Sequence, residues 1–195
     1  QTVFTSTETP LSVYQKLAEG KRGTFLLESA EQGVWARYSF IGVNNRGKLD
    51  WISGSVDWQS SDGCAPLPNR SSALADSPID ALKQLQEEWH SPIGMGLPPL
   101  VSGLVGLIGW NMIREIEHLP NAPKSDFNAP TMAFAMFRDL VIFDHLQGNL
   151  LLVSNLFVPD HDDLEAGYQD CLDRIAKLRN ALLSPIEGRS EEHTS

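Results

Sequence analysis

The chain predicts an α+β fold, an antiparallel-rich layered sheet with flanking helices. Three observations carry this. Apolar, β-favouring runs follow one another with turn residues between them, and helix-start signals occur only a few times along the chain. Strands and helices do not alternate regularly, as a doubly wound sheet would require, and no internal repeat is present. The 195 residues, 42% hydrophobic and 21% charged, suit one ordinary domain able to bury its own core.

Thr9-Pro10 opens the first helix, with Thr as N-cap and Pro at the first helical position. Leu11, Tyr14 and Leu17 give it one apolar face, and Gly20 ends it. Residues 24–28 and 35–43 read as strands. Residues 48–58 read as a further pair around Ser53-Gly54, with Leu49, Trp51, Val56 and Trp58 as β-favouring residues. Residues 60–76, rich in Ser, Pro, Gly and Asp, form an exposed loop. Ser77-Pro78 starts a second helix whose Ile79, Leu82, Leu85 and Trp89 share a face that should pack on the sheet. In residues 100–110 Gly103, Gly106 and Gly109 recur among Leu, Val and Ile, which suits a strand pressed against other backbone. Residues 111–118 turn helical before Leu119-Pro120. Residues 131–137 and 140–144 read as strands, and Gly148-Asn149 turns into a hairpin partner over 150–157. Residues 163–183 form a long helix with Leu164, Tyr168, Cys171, Leu172, Ile175 and Leu178 on one side.

Fifteen basic against 25 acidic residues leave a formal charge of −10. Nucleic-acid and anionic-membrane surfaces rely on clustered Lys and Arg, and none cluster here. Cys64 and Cys171 form no CxxC pair and have no His at ligand spacing, so neither a disulfide framework nor a zinc site is expected, and a reducing cytoplasm is the expected compartment. The apolar run over 97–110 is broken by Pro98, Pro99 and three glycines, and the first ten residues lack a basic region followed by an apolar stretch. Neither a spanning helix nor a signal peptide is predicted.

Leu27-Glu28-Ser29 ends an apolar run in a carboxylate and a hydroxyl. That pair could accept from a ligand ammonium and bond its polar atoms, although a strand-terminal Glu-Ser is more often a solvated turn. Arg37 could hold a carboxylate from a neighbouring strand or a ligand, with an ion pair supporting the sheet the better reading. Ser39 reads first as a sheet hydroxyl. Asp160-His161-Asp162-Asp163 reads as a helix start, because four consecutive residues on a regular element cannot all face one ion and acids suit a helix N-terminus. No motif sets a Ser or Cys nucleophile beside His118, Asp144 or His145, so a catalytic triad is unsupported. The glycines match neither GxGxxG nor a P-loop.

Taken together, Thr9-Pro10, Leu26-Leu27-Glu28-Ser29, Arg37-Tyr38-Ser39-Phe40-Ile41-Gly42, Gly103-Leu104-Val105-Gly106-Leu107-Ile108-Gly109-Trp110, Glu117-His118-Leu119-Pro120 and Asp139-Leu140-Val141-Ile142-Phe143-Asp144-His145 agree in order and rough spacing with a known family. Over residues 9–183 the chain resembles the amino-terminal domain of anthranilate synthase component I. The family's glycine-rich block usually reads Tyr-Leu-Gly-Tyr-Asp. Here it reads Leu107-Ile108-Gly109-Trp110-Asn111, so a charge-based role at Asn111 is lost.

The resemblance implies the following expectations. Leu27, Glu28, Ser29, Arg37 and Ser39 belong to or adjoin a pocket for the feedback inhibitor tryptophan. The parent enzyme makes anthranilate from chorismate in tryptophan biosynthesis, using magnesium and ammonia from a glutamine amidotransferase partner, component II. The chorismate-binding region, its magnesium ligands and its Gly-Thr-Arg-Pro-Arg-like and Pro-Ser-Pro-Tyr-like blocks are absent here, so this stretch alone is expected to be regulatory and structural, without catalytic or metal-ligating residues. Residues 1–188 are read as this domain. Ile186-Glu187-Gly188-Arg189 spells a factor Xa cleavage sequence, but residues 189–195 match an in-frame sequencing adapter better and are excluded from the fold. The alternatives are aminodeoxychorismate synthase component I of folate synthesis and a free-standing amino-acid-binding or docking module.

Overall fold

The structure is a computed structural model that describes residues 1–4, 8–18, 20–28, 37–69, 72–91, 94–121 and 129–184. Ser29, the first two residues of the strand expected over 35–43, and the 189–195 tail lie outside the described residues. The elements in order are β1 (Thr2–Phe4), α1 (Pro10–Leu17), β2 (Phe25–Leu27), β3 (Tyr38–Ile52), β4 (Ser55–Ser60), α2 (Pro78–Glu88), β5 (Leu104–Ile108), α3 (Ile113–Ile116), β6 (Met132–Asp144), β7 (Asn149–Ser154) and α4 (Leu164–Leu183).

The helix starts follow their sequence signals. Thr9 and Ser12 exchange side-chain-to-backbone hydrogen bonds of 3.1 and 2.9 Å at the start of α1, Ser77 caps α2, and Asp163 caps α4 by accepting from the Glu165 and Ala166 amides. The expected helix over 111–118 is shorter. A 3-10 turn over Trp110–Met112 leads into the single turn of α3, and only Met112 of this stretch is buried. A helix without a packed face gains too little to offset the cost of nucleation.

All strand pairs are antiparallel, as expected. The strand pairs expected over 35–43 with 48–52, and 131–137 with 140–144, prove to be the unbroken strands β3 and β6. Together they form the spine of a seven-stranded sheet. Beside one half of the spine lie β2 on one side and β7 with β1 on the other; beside the other half lie β4 and β5. The strand β1, too short to carry a period, has no counterpart in the sequence reading. Ser53 and Gly54, both with positive φ, turn β3 into β4 as the dipeptide predicted.

The breaks read from the sequence coincide with an irregular ladder. Between Gly42 and Gly47 the pairing of β3 with β6 shifts three times. These bulges change the alternation of β6, so that Phe137 and Leu140 share a face despite their odd spacing. One face of the sheet is packed by helices. Val13, Leu17, Leu178 and Leu182 of α1 and α4 cover Ile41, Val43, Val141 and Leu152, while Ala81 and Leu85 of α2 cover Leu49, Trp51, Met132 and Met136. The opposite face carries Phe137, Leu140 and Ile142, flanked by half-buried Phe25, Tyr38, Phe40, Leu151 and Val153.

Buried charge gathers at the bulges, between the two helix-side clusters. Arg46 is fully buried, its guanidinium bonded twice to Asp160 at 2.6 Å and set over the rings of Trp89 and Phe157. Asp139, also fully buried, accepts from Asn44 (2.7 Å), Ser154 (2.6 Å) and Arg174 of α4 (3.1 Å). The glycine-rich strand behaves as its sequence suggested at Gly106, where a Cβ would overlap the Ala133 carbonyl of β6. Gly103 serves differently, with a φ of 131° and open space around it.

Candidate functional site

Of the residues singled out in the sequence, Leu27, Glu28, Arg37 and Ser39 lie at one corner of the sheet. Phe25 to Leu27 pair with Phe40 to Gly42, which makes β2 a three-residue edge strand. Phe25 meets Phe137 edge-on with ring centroids 4.3 Å apart, and Leu26 packs into the helix-side core. These contacts anchor β2. Leu27, opposite Phe40 and therefore on the face without helices, is 44% exposed, and the carboxylate of Glu28 follows it into solvent.

Arg37 and Ser39 stand across the ladder from that end, and both are engaged within the protein. The Arg37 guanidinium grips Asp144 with bonds of 3.0 and 2.6 Å and lies over the Tyr38 ring, so the ion-pair reading of Arg37 describes its place. Ser39 is 1% exposed, and its hydroxyl lies 2.8 Å from Nε2 of His145, whose ring stacks on Phe143. The sequence did not set a serine beside His145; pairing of Ser39 with Phe143 across the ladder does. The triad reading stays unsupported for a geometric reason. Asp144 spends its oxygens on Arg37 and on the Leu146 and Gln147 amides, not on the imidazole, and the serine is buried.

The hydrogen bonds from Arg37 hold the Asp144 carboxyl below its usual 3.8, against the opposing effect of burial. At Asp160 burial pushes upward but the Arg46 bonds and charge outweigh it, and this carboxyl is lowered as well. A lowered folded-state pKa contributes stability that is present above the unfolded value and lost as pH falls through the folded one. The urea midpoint should therefore fall as pH drops below 3.8, the ordinary value of both groups. Arg37→Met should flatten that fall in part, since Arg46–Asp160 remains; an unchanged pH profile would show that the Arg37–Asp144 pair contributes nothing.

Of the 160–163 cluster Asp163 caps α4 as the sequence suggested, while Asp160 instead holds Arg46. Among the described residues no group of three or more His, Cys, Asp or Glu is placed to hold a metal ion, and no helix is long and apolar enough to cross a membrane. A separate groove of about 780 Å³ lies by α2, lined in part by Leu82, Trp89, Leu104, Phe134 and Phe157. Its described lining includes none of Leu27, Glu28, Arg37 and Ser39. The roles of Arg46, Asp139 and Arg174 were missed because their partners are far along the chain, 114 residues for Arg46–Asp160 and 35 for Arg174–Asp139, and nothing local signals them.

The corner offers an exposed carboxylate beside an apolar side chain at the end of an edge strand, backed by a rigid polar frame. That combination can take an ammonium and an apolar group together. No protein-family model matches the chain. It is 33% identical over 187 residues to anthranilate synthase component 1 of Arthrobacter globiformis and 35% identical over 187 residues to that of Mycolicibacterium smegmatis, in each case over 94% of this chain and 34% of the relative. Among solved structures, anthranilate synthase component I from Streptococcus pneumoniae shares the fold with a TM-score of 0.56 at 18% identity, over 91% of this chain and 36% of that one. The chain thus spans about a third of the length of the curated relatives it matches. Over nearly all of its own length, the chain is homologous to a part of anthranilate synthase component 1.

Proposed function

We propose that this chain is the amino-terminal, regulatory part of an anthranilate synthase component I. The observation that carries the reading is the 33–35% identity to proteins of that name along 94% of the chain. The same names favour this reading over aminodeoxychorismate synthase. In it, the complete enzyme converts chorismate to anthranilate in the cytoplasm, with ammonia from a component II amidotransferase. Magnesium is held by the chorismate-binding region, outside this chain.

Leu27, Glu28 and Ser29 form one wall of the tryptophan pocket. Glu28 takes the effector's ammonium and Leu27 lies against its apolar part, while Arg37–Asp144 and Ser39–His145 fix the neighbouring strand. Tryptophan inhibits by binding one arrangement of the enzyme better than another, since a ligand with equal affinity for both shifts nothing. A charge-assisted hydrogen bond contributes about 1.5–3 kcal/mol, so Glu28→Ala should raise the tryptophan concentration for half-inhibition by about tenfold or more. The test is anthranilate fluorescence from the full-length gene product supplied with chorismate, magnesium and ammonia. Absence of anthranilate would overturn the enzyme reading, and activity with unchanged tryptophan sensitivity in Glu28→Ala and Ser29→Ala would overturn the regulatory one.

A further inference from the structure

We infer that the open edge of β5 receives an extended strand from the part of the polypeptide that the relatives carry outside the third matched here. The inference rests on the function proposed above only for where that strand comes from. Within the described residues β5 pairs with β6 alone. Its ladder shows which groups face outward. The Phe137 amide donates to the Gly103 carbonyl and the Gly109 amide to the Thr131 carbonyl. Bonded pairs alternate along an antiparallel ladder, so Val105 and Leu107 turn their amides and carbonyls to β6, and Leu104, Gly106 and Ile108 turn theirs away from it.

Sheet edges are ordinarily blunted by shortness, charge or proline. The strands β1 and β2 have three residues each, and β4 carries Asp57 and the polar Gln59. The sequence of β5, Leu-Val-Gly-Leu-Ile, has none of these defences. Leu107 is 55% exposed and Ile108 58%, on opposite faces of the strand, and Trp110 follows almost fully exposed. An apolar surface on both sides of a backbone edge that no described residue pairs is complementary to one kind of partner, another strand that supplies backbone bonds and apolar side chains on both faces. About two thirds of each relative lies outside the matched region, which is ample chain to supply it. A second copy of this chain is the poorer occupant, because each copy would bring a charge of −10.

The test is residue-resolved hydrogen exchange on the full-length gene product. The Gly106 and Ile108 amides should be protected to the level of Val105 and Leu107. Ile108→Pro deletes one outward amide without touching the β6 ladder and should abolish the protection at Gly106; Ile108→Thr, which keeps the amide, should preserve it. Gly106 and Ile108 amides that exchange as open groups in the wild-type product would overturn the proposal, whether or not the proline variant folds. Protection that vanishes on dilution would also overturn it, by identifying a second copy as the occupant. Anthranilate production in the same sample separates the two readings. Activity with open β5 amides removes only the strand, and protected amides without activity remove only the enzyme.

Discussion

Replacing Arg46 by alanine should destabilise the protein by about 3–5 kcal/mol, the range for breaking a buried ion pair. The change takes from the Asp160 carboxylate the two bonds of 2.6 Å that it receives from the guanidinium. It also removes the planar cation set over the edge-to-face pair of Trp89 and Phe157, 4.4 and 5.1 Å from their ring centroids. The loss therefore combines a broken buried ion pair with a cavity. A double-mutant cycle separates them. Arg46→Met with Asp160→Leu should recover much of the stability in urea unfolding, because a buried pair exchanged for apolar groups is often close to neutral. If Arg46→Ala alone leaves the midpoint unchanged, the pair is not holding the helix-side cores together.

Asp139→Ala should cost a similar amount, about 3–5 kcal/mol. Asp139, itself fully buried, accepts from side chains of β3, β7 and α4, and its removal leaves Asn44 and Ser154 without that acceptor. Arg174 keeps partners in Asp170 and the Asn155 carbonyl, so α4 should stay helical while its docking loosens. The signature to seek in urea is a lowered midpoint with far-ultraviolet helix signal retained. Asp139→Asn, which preserves an acceptor oxygen, should be the milder variant, and equal losses for both would show that the charge, not the acceptor, is what matters.

Much of the fold was legible because its signals are local. Thr9-Pro10, Ser77-Pro78 and Asp163 mark helix starts by capping chemistry, and Ser53-Gly54 marks a hairpin by backbone conformation. Periodicity fails where alternation itself breaks, and for that reason β3 and β6 each read as two strands with a gap at 44–47 and at 138–139. The site was legible in part. The exposed end of β2 follows from an apolar run closing in Glu28, but the partners of Arg37 and Ser39 lie 107 and 106 residues away, and only the register of β3 on β6 joins them. The helix expected over 111–118 is cut short after Ile116 because Met112 alone of this stretch is buried in the core.

The irregular ladder also says where chain length can vary. From Gly42 to Gly47 β3 takes five steps, while β6 takes four from Leu140 to Met136. Side chains alternate at every step, so losing or gaining one residue here slides the remaining ladder by one and sends Leu49 and Trp51 to the face without helices. Conservative exchange of side chains in this stretch costs less than any change in their number. Insertions and deletions accumulated among relatives should accordingly avoid residues 42–47 and 136–140 and collect in the 61–76 connection, where no strand partner counts residues.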